Sequence, residues 1–304
     1  MLQDDLNTPV SSLWLGFLLA IFGTLLFSLK SIFIKFLYQN GLNADSVLVL
    51  RMALALPIYT SVLLWLLYSR PSHPDFSLAT LGTVFSLGFL GYYLASLLDL
   101  MGLELITAQL ERLSLFTYPF FVAVIGFFFF KQPISRRLIL ALIITYTGLW
   151  IVMGQELALT GNNVIEGVSL VLASALSFSF YVLFSKPFIK RLGSLLFTSI
   201  AMISSSIFGL AHGMLVLDWP SLVISPSSWL WLSMLVIFST VLPSFMMTEA
   251  IHRIGPAQTG VVGMLGPIFT IVLAVYLLNE PFTLAIFAGV VMVILGVMSL
   301  MVKK

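Results

Sequence analysis

Ten apolar runs of about 17–25 residues, separated by short polar or Pro/Gly-containing breaks, make up almost all of this sequence. Their length constrains the fold more than any other feature. About 20 apolar residues is what a helix needs to cross the hydrocarbon core of a bilayer, whereas a barrel strand alternates over about 10 residues. Only helices satisfy their backbone hydrogen bonds within one segment in lipid. The runs predict helices near 13–37, 44–68, 78–99, 107–130, 136–153, 166–187, 194–217, 228–252, 256–278 and 283–301. Charge content agrees: 14 basic and 12 acidic residues among 304 fall far below the about 75 that an average soluble chain of this length carries. The expected class is an all-α polytopic membrane protein, with no room for a soluble domain.

Several function classes drop out at once. A net charge of +2 and the lack of a basic run exclude a nucleic-acid partner. Zero cysteines exclude disulfides, thiolate metal sites and cysteine nucleophiles. Asp4 and Asp5 precede a long apolar run with no short cleavable one, so the first helix is expected to be retained.

Sidedness follows from the basic residues. Arg70, then Lys131, Arg136 and Arg137, then Lys186, Lys190 and Arg191, then Arg253, and finally Lys303 and Lys304 fall in the even connections or at the end. Glu104, Glu156, Glu166, Asp218 and Glu280 mark the third, fifth, seventh and ninth connections, which lack basic residues. Both termini are therefore expected to be cytoplasmic, in a plasma (inner) membrane.

The sequence repeats itself. A shift of 148 sets Pro119 on Pro267, Phe121 on Phe269, Val124 on Val272, Pro133 on Pro281 and Gly148 on Gly296. A shift of 151 sets Gly16 on Gly167, Phe27 on Phe178, Ser28 on Ser179, Phe33 on Phe184 and Lys35 on Lys186. The halves, 13–153 and 166–302, hold five helices each. An odd number makes the second half enter the membrane from the opposite side, so the repeat is inverted, a device that lets two similar halves rock around a site at their interface.

The segment Gly102 to Val152, its second copy from Ala250, and "LFSLKSIFIKFLY" in the first helix resemble the EamA repeat of the drug/metabolite transporter superfamily. The first copy departs from the family by ending its helix with Lys131-Gln132-Pro133, where Gly-Glu-Pro is usual; the second keeps Asn279-Glu280-Pro281. The resemblance implies ten helices, two EamA repeats, a central cavity and export of amino acids or other small metabolites.

Ionisable residues inside a membrane are functional candidates, because a charge at the bilayer centre costs roughly 2.5–3.5 kcal/mol on insertion scales. At 1.5 Å per residue, Lys30 and Arg51 lie about 10 Å inside their helices and Glu111 with Arg112 about 6–8 Å inside theirs. Asp99 is expected near the outer end of its helix. Lys30, Lys35, Arg51, Asp99, Glu111 and Arg112 converge on one leaflet, with cations in excess. Lys30, Arg51 and Glu111 are read as lining a wet cavity that binds the carboxylate or ammonium of an amphipathic metabolite, with Glu111 exchanging protons. A structural salt-bridge network is the competing reading, and Lys35 and Arg112 can instead snorkel to the headgroups.

Tyr92, Tyr118 and Tyr181 sit deep enough to carry hydroxyls into the cavity, as does Tyr93, and Tyr181 occupies the repeat position of Lys30. The matched prolines Pro119 and Pro267 are expected to bend their helices as hinges, and Pro57 and Pro243 to kink theirs. Glu249 and Arg253, four apart, read as a local ion pair, and His212 as a hydrogen-bonded core residue. Gly260, Gly263 and Gly266, like Gly16, Ala20, Thr24 and Ser28, permit close helix packing.

The expected function is a secondary transporter, exporting amino acids or related small metabolites by alternating access. The alternatives are an intramembrane enzyme, which three scattered histidines without an HExxH motif disfavour, and a channel or receptor. No catalytic residue, metal or cofactor is expected. The partners are a small-molecule substrate and the lipid bilayer, with a homodimer as a further assembly open to the chain.

Overall fold

A computed structural model describes residues 10–69, 77–131, 136–161, 163–263 and 265–301. Arg70, His73, Lys303 and Lys304 lie outside the described residues. The ten helices are α1 (Val10–Gln39), α2 (Ala44–Ser69), α3 (Leu78–Leu105), α4 (Ala108–Phe130), α5 (Arg136–Thr160), α6 (Asn163–Leu192), α7 (Ser194–Val216), α8 (Pro226–Val236 continued by Leu242–Gly263), α9 (Leu265–Leu278) and α10 (Leu284–Met301). Among the described residues, eight are long and apolar enough to cross a membrane, and two shorter apolar helices, Leu265–Leu278 and Leu284–Gly296, stand beside them. The large apolar side chains left exposed, such as Phe128, Trp150, Tyr276 and Leu295, are those a lipid-facing surface requires.

The two halves are related by an inverted repeat that holds at the level of single contacts. The Ser28 hydroxyl donates to the Gly266 carbonyl at 3.1 Å, and its counterpart Ser179 donates to the Tyr118 carbonyl at 2.9 Å. Each half thus lays its first helix against the fourth of the other. Gly148 of α5 packs on Gly289 and Met292 of α10, while Gly296 packs on Ala141 and Thr145 of α5. A Cβ at Gly296 would lie 2.0 Å from Thr145 Oγ1, so the close approach requires glycine there. α4 ends at Lys131 (φ 52°) and α9 at Asn279 (φ 56°), matched positions in left-handed conformation. Asparagine tolerates that region, whereas lysine pays about 1 kcal/mol or more for it.

Three local features depart from the helix pattern of the sequence. Helix α3 continues to Leu105, so Asp99 sits six residues inside it and is buried rather than near an outer end. The connection expected at His252–Gly255 is helical, since Leu242–Gly263 runs through it. The chain still reverses: Met247 and Ile254 meet Gly23 and Gly16 in antiparallel order. Gly266 and Thr270 then meet Thr24 and Ser28 in parallel order. Helix α4 is broken at Phe116–Thr117 into Ala108–Leu115 and Tyr118–Phe130. Pro119 lies in the first turn after that break and Pro267 near the start of α9, positions where a missing N–H costs nothing.

The odd connections meet at one end of the molecule. Asn40 accepts from Ser227, Ala44 N–H donates to Glu104, and the Thr107 N–H and hydroxyl donate to Glu156 at 2.7 and 2.6 Å. Ala108 and Gln109 N–H groups donate to Glu280, and Thr283 donates to Gln155. Such mutual bonding demands that these five connections share one face, as the charge alternation requires. It also supplies carboxylates to the free N–H groups at the start of α4, where the helix dipole favours negative charge.

Candidate functional site

Helix α1 is the organising element. Its Ser28, Lys30 and Ser31 face three charged residues brought by α3 and α4. Lys30 Nζ is ion-paired to Asp99, the Ser31 hydroxyl donates to Glu111 Oε2 at 2.7 Å, and Arg112 Nη2 donates to the Ser28 hydroxyl at 3.4 Å. Asp99 and Glu111 are 1% and 0% exposed, so both carboxyls are withdrawn from lipid and bulk water alike. Arg51 of α2 is buried too and lies within electrostatic reach of Asp99, Tyr38 and Tyr59. Its Nε has no hydrogen-bond partner, and neither do Asp99 Oδ1 and Glu111 Oε1. Unmet polar capacity of this kind is costly in a dry interior.

The tyrosines form a second group. Tyr181 donates to the Tyr92 hydroxyl at 3.1 Å, the two rings meeting edge to face at 4.9 Å. Phe178 links Tyr181 to Tyr118, with ring centroids 5.7 and 5.6 Å away. The two groups approach each other at Tyr59, which feels both Arg51 and Tyr92 and bonds Ser244 at 2.9 Å. Lys30, Asp99, Glu111 and Arg112 are thus brought together, and Tyr92, Tyr118 and Tyr181 form a separate aromatic run.

Beside the aromatic run lies a feature that composition does not announce. Residues Phe89–Leu94 of α3 form a π-helical turn, and Ile237–Val241 of α8 form another at the repeat-equivalent position. Within the wider turn the Leu90 carbonyl accepts both the Ala95 N–H and the Ser177 hydroxyl, the latter at 2.8 Å. Gly91 lies inside it against the Tyr181 ring, where a Cβ would come within 2.3 Å of Cγ. π-Turns inside α-helices mark functional positions more often than chance allows.

Lys35, further along α1, does not join the Lys30 group. It lines a cavity of about 270 Å³ at the odd-connection face with Gln39, Glu104, Thr107, Glu156 and Glu280. Burial pushes the Glu280 carboxyl above its usual range, an effect that the Ala108 and Gln109 N–H donors oppose. The sequence marks Glu156 and Glu280 only as topology signals; Glu280, in the Asn279-Glu280-Pro281 segment, anchors the start of α4 from the other half. His212 is hydrogen-bonded as expected, between Tyr93 and Asp45 at 3.0 Å each. Glu249 and Arg253 form the expected i,i+4 pair at 2.7 Å.

Comparison with known proteins turns the repeat and its seam into a family assignment. The profile of the EamA-like transporter family matches residues 14–154 and again 165–302. The chain belongs to the EamA-like transporter family. That family is part of the drug/metabolite transporter superfamily. Among relatives, the uncharacterized transporter YcbK of Bacillus subtilis (strain 168) is 29% identical over 278 residues, 87% of this chain and 86% of YcbK. The uncharacterized transporter YetK of the same organism is 24% identical over 230 residues, 71% of this chain and 66% of YetK. A solved crystal structure superposes with a TM-score of 0.65 at 16% identity, covering 96% of this chain and 97% of the other. That likeness speaks to the fold alone. Membership makes this EamA protein a membrane-embedded transporter of ten helices in two inverted repeats.

Proposed function

We propose that this EamA protein is a secondary transporter that exports amino acids or related small metabolites by alternating access, its halves 13–153 and 166–302 rocking against each other. The observation that carries the reading is the position of the buried charges. Arg112 and Glu111 bond Ser28 and Ser31, one turn apart on α1, the same Ser28 bonds to α9 of the opposite half, and the Lys30–Asp99 pair is formed from the neighbouring position of α1. A group that binds solute at that seam feels any movement of the halves.

The chemistry suits a zwitterion. Three cations, Lys30, Arg51 and Arg112, face two carboxyls, and the Arg51 guanidinium has spare donor capacity for a substrate carboxylate. Asp99 and Glu111 answer an ammonium, and Glu111 is the proton-exchange candidate. Tyr92, Tyr118 and Tyr181 offer rings and hydroxyls to the apolar part of an amphipathic solute. Pro119 and Pro267, at the starts of the α4 and α9 segments that meet Ser179 and Ser28, are the proposed hinges. We place the protein in the inner membrane with both termini cytoplasmic, following the basic even connections.

The test is counterflow into proteoliposomes with a panel of amino acids, aromatic compounds and organic cations. Saturable counterflow of a panel member supports the transporter. Ohmic conductance would make it a channel, product formation an enzyme, and silence across the panel would remove the metabolite assignment.

A further inference from the structure

The first repeat ends its fourth helix with Lys131-Gln132-Pro133 and the second with Asn279-Glu280-Pro281, and the fold gives that difference a consequence. The two turns share a backbone, with φ 52° at Lys131 and 56° at Asn279. The left-handed residue turns the chain back over the end of α9, where the Glu280 N–H donates to the Ala274 carbonyl at 3.2 Å. From there the Glu280 carboxylate crosses to the other half. It accepts from the Ala108 N–H at 2.8 Å and the Gln109 N–H at 3.2 Å, and the Gln109 side chain donates to the Pro281 carbonyl at 3.2 Å. Thr283 donates to Gln155 of α5 at 2.6 Å and Ser227 of α8 to Asn40 beside α1 at 2.9 Å, further ties between the halves at the same face.

The inverted repeat asks for a matching tie at the even-connection face, and the sequence cannot make it. The shift of 148 that sets Pro133 on Pro281 also sets Gln132 on Glu280, Ala108 on Pro256 and Gln109 on Ala257. Gln132 offers one neutral amide oxygen in place of a carboxylate, and Pro256 has no N–H to give. Residues 256 and 257 also lie inside the continuous helix Leu242–Gly263. Ala108, in contrast, opens α4 after the break at Ile106 and Thr107, so its N–H has no intrahelical acceptor. Among the described residues the even face joins its halves differently, through Arg191 of α6 donating to Thr80 of α3 at 3.4 Å.

We propose that Glu280 is the latch of a gate at the odd-connection face. Its carboxylate holds the start of α4 against the α9–α10 turn, and because the even face lacks the counterpart, the resting protein is closed at the odd face and opens at the even one. The proposal rests on the alternating-access reading above. With the sidedness given there, the resting site faces the cytoplasm, as the loading of an exporter requires. Glu280 and Thr107 also line, from opposite halves, the cavity of about 270 Å³ that holds Lys35. Parting them widens that cavity toward Lys30, about 7.5 Å further along α1.

The test is double electron–electron resonance on the full-length protein in lipid nanodiscs, without added solute. The chain has no cysteine, so introduced cysteines are the only labelling sites. One nitroxide pair, at Met101→Cys and Leu284→Cys, spans the halves at the odd face, and another, at Tyr68→Cys and Lys186→Cys, spans them at the even face; all four positions are exposed. Glu280→Ala should lengthen the odd-face distance and shorten the even-face distance. Glu280→Gln, which keeps one acceptor, should shift both in the same directions by less, and can be read by itself if the alanine variant does not fold. Asn43→Ala removes a helix cap that lies within one half, the bond from the Ser46 N–H at 2.9 Å, and should leave both distances in place. An odd-face distance unchanged by the Glu280 substitutions, an even-face distance that stays or also lengthens, or an equal response to Asn43→Ala would each overturn the proposal. Counterflow is a separate readout. A reciprocal shift in a protein that exchanges no panel solute keeps the latch and removes the substrate reading, whereas counterflow without a reciprocal shift removes the latch alone.

Discussion

The Ser28 hydroxyl reaches the Gly266 carbonyl at 3.1 Å across the seam between the halves, and also bonds the Thr24 carbonyl of its own helix at 2.8 Å. Ser179 repeats both bonds, to Tyr118 at 2.9 Å and Ala175 at 2.6 Å. Each serine donates one hydrogen to two carbonyls, one that any helical serine can reach and one that exists only because the halves are docked. Small polar residues at such contacts let α1 approach α9, and α6 approach α4, without a steric gap.

Replacing either serine by alanine should therefore lower the stability of the docked halves by similar amounts, about 1 kcal/mol each by the usual net worth of a buried hydrogen bond. The measurement is the thermal midpoint of the detergent-solubilised protein for Ser28→Ala, Ser179→Ala and the double variant. Additive shifts of equal size are expected. A large shift for one serine and none for the other would mean that the pseudo-two-fold seam does not carry equal load.

Gly91 makes a sharper prediction. Its missing Cβ is what lets the Tyr181 ring lie on the π-turn of α3, so Gly91→Ala must push α3 and α6 apart or force Tyr181 out of its rotamer. Overpacking of that kind costs about 1–3 kcal/mol. Gly82→Ala, in the same helix with open space around it, should be neutral or stabilising by up to about 1 kcal/mol through helix propensity. Thermal midpoints of the two variants should thus move in opposite directions or differ by several degrees. The Tyr92–Tyr181 bond can be followed in the same preparation through tyrosine absorption.

How much of this was readable beforehand depended on the kind of signal. Long apolar runs and the alternation of charge are properties of single segments, so ten helices and two faces followed directly. Matched residues such as Ser28 and Ser179 carried the repeat. The π-turns left no trace because a shift from i→i−4 to i→i−5 bonding changes neither hydropathy nor period enough to register over five or six residues. Gly102 and Glu104 read as a break that puts Asp99 close to a helix end, yet Glu104 accepts the Ala44 N–H and the helix continues to Leu105. The convergence of Lys30, Asp99 and Glu111 on one leaflet was legible, but which acid Lys30 would choose was not. That choice depends on the rotation of α1 about its axis, which packing alone decides.

Glu280 supplies a prediction in pH. Burial raises its carboxyl above the ordinary value of 4.5, so the folded protein binds its proton more tightly than the unfolded chain does. Stability from this group is complete below the unfolded value and falls as pH rises from there toward the folded value. Glu280→Gln removes that slope while keeping one acceptor for the Ala108 N–H. The thermal midpoint of wild type should fall more steeply than that of the variant from about pH 4.5 upward. Parallel curves would show that the N–H donors of α4 fully compensate the burial.

The Lys30–Asp99 pair permits a separation of structural from functional cost. Removing one member of a buried pair leaves an uncompensated charge and costs about 3–5 kcal/mol, whereas removing both is often nearly neutral. Lys30→Met and Asp99→Asn should each depress the thermal midpoint strongly, and the double variant should recover most of the loss. Coupling between the two substitutions, read as the departure from additivity, is the quantity of interest. If the pair were only a structural tie, the recovered double variant would also recover counterflow of whichever solute the wild type exchanges. Because Lys30 lies on the proposed transport face, the expected outcome is instead a stable double variant that exchanges poorly. Full recovery of both stability and exchange would return Lys30 and Asp99 to the scaffold and leave Arg51 and Glu111 to bind the solute.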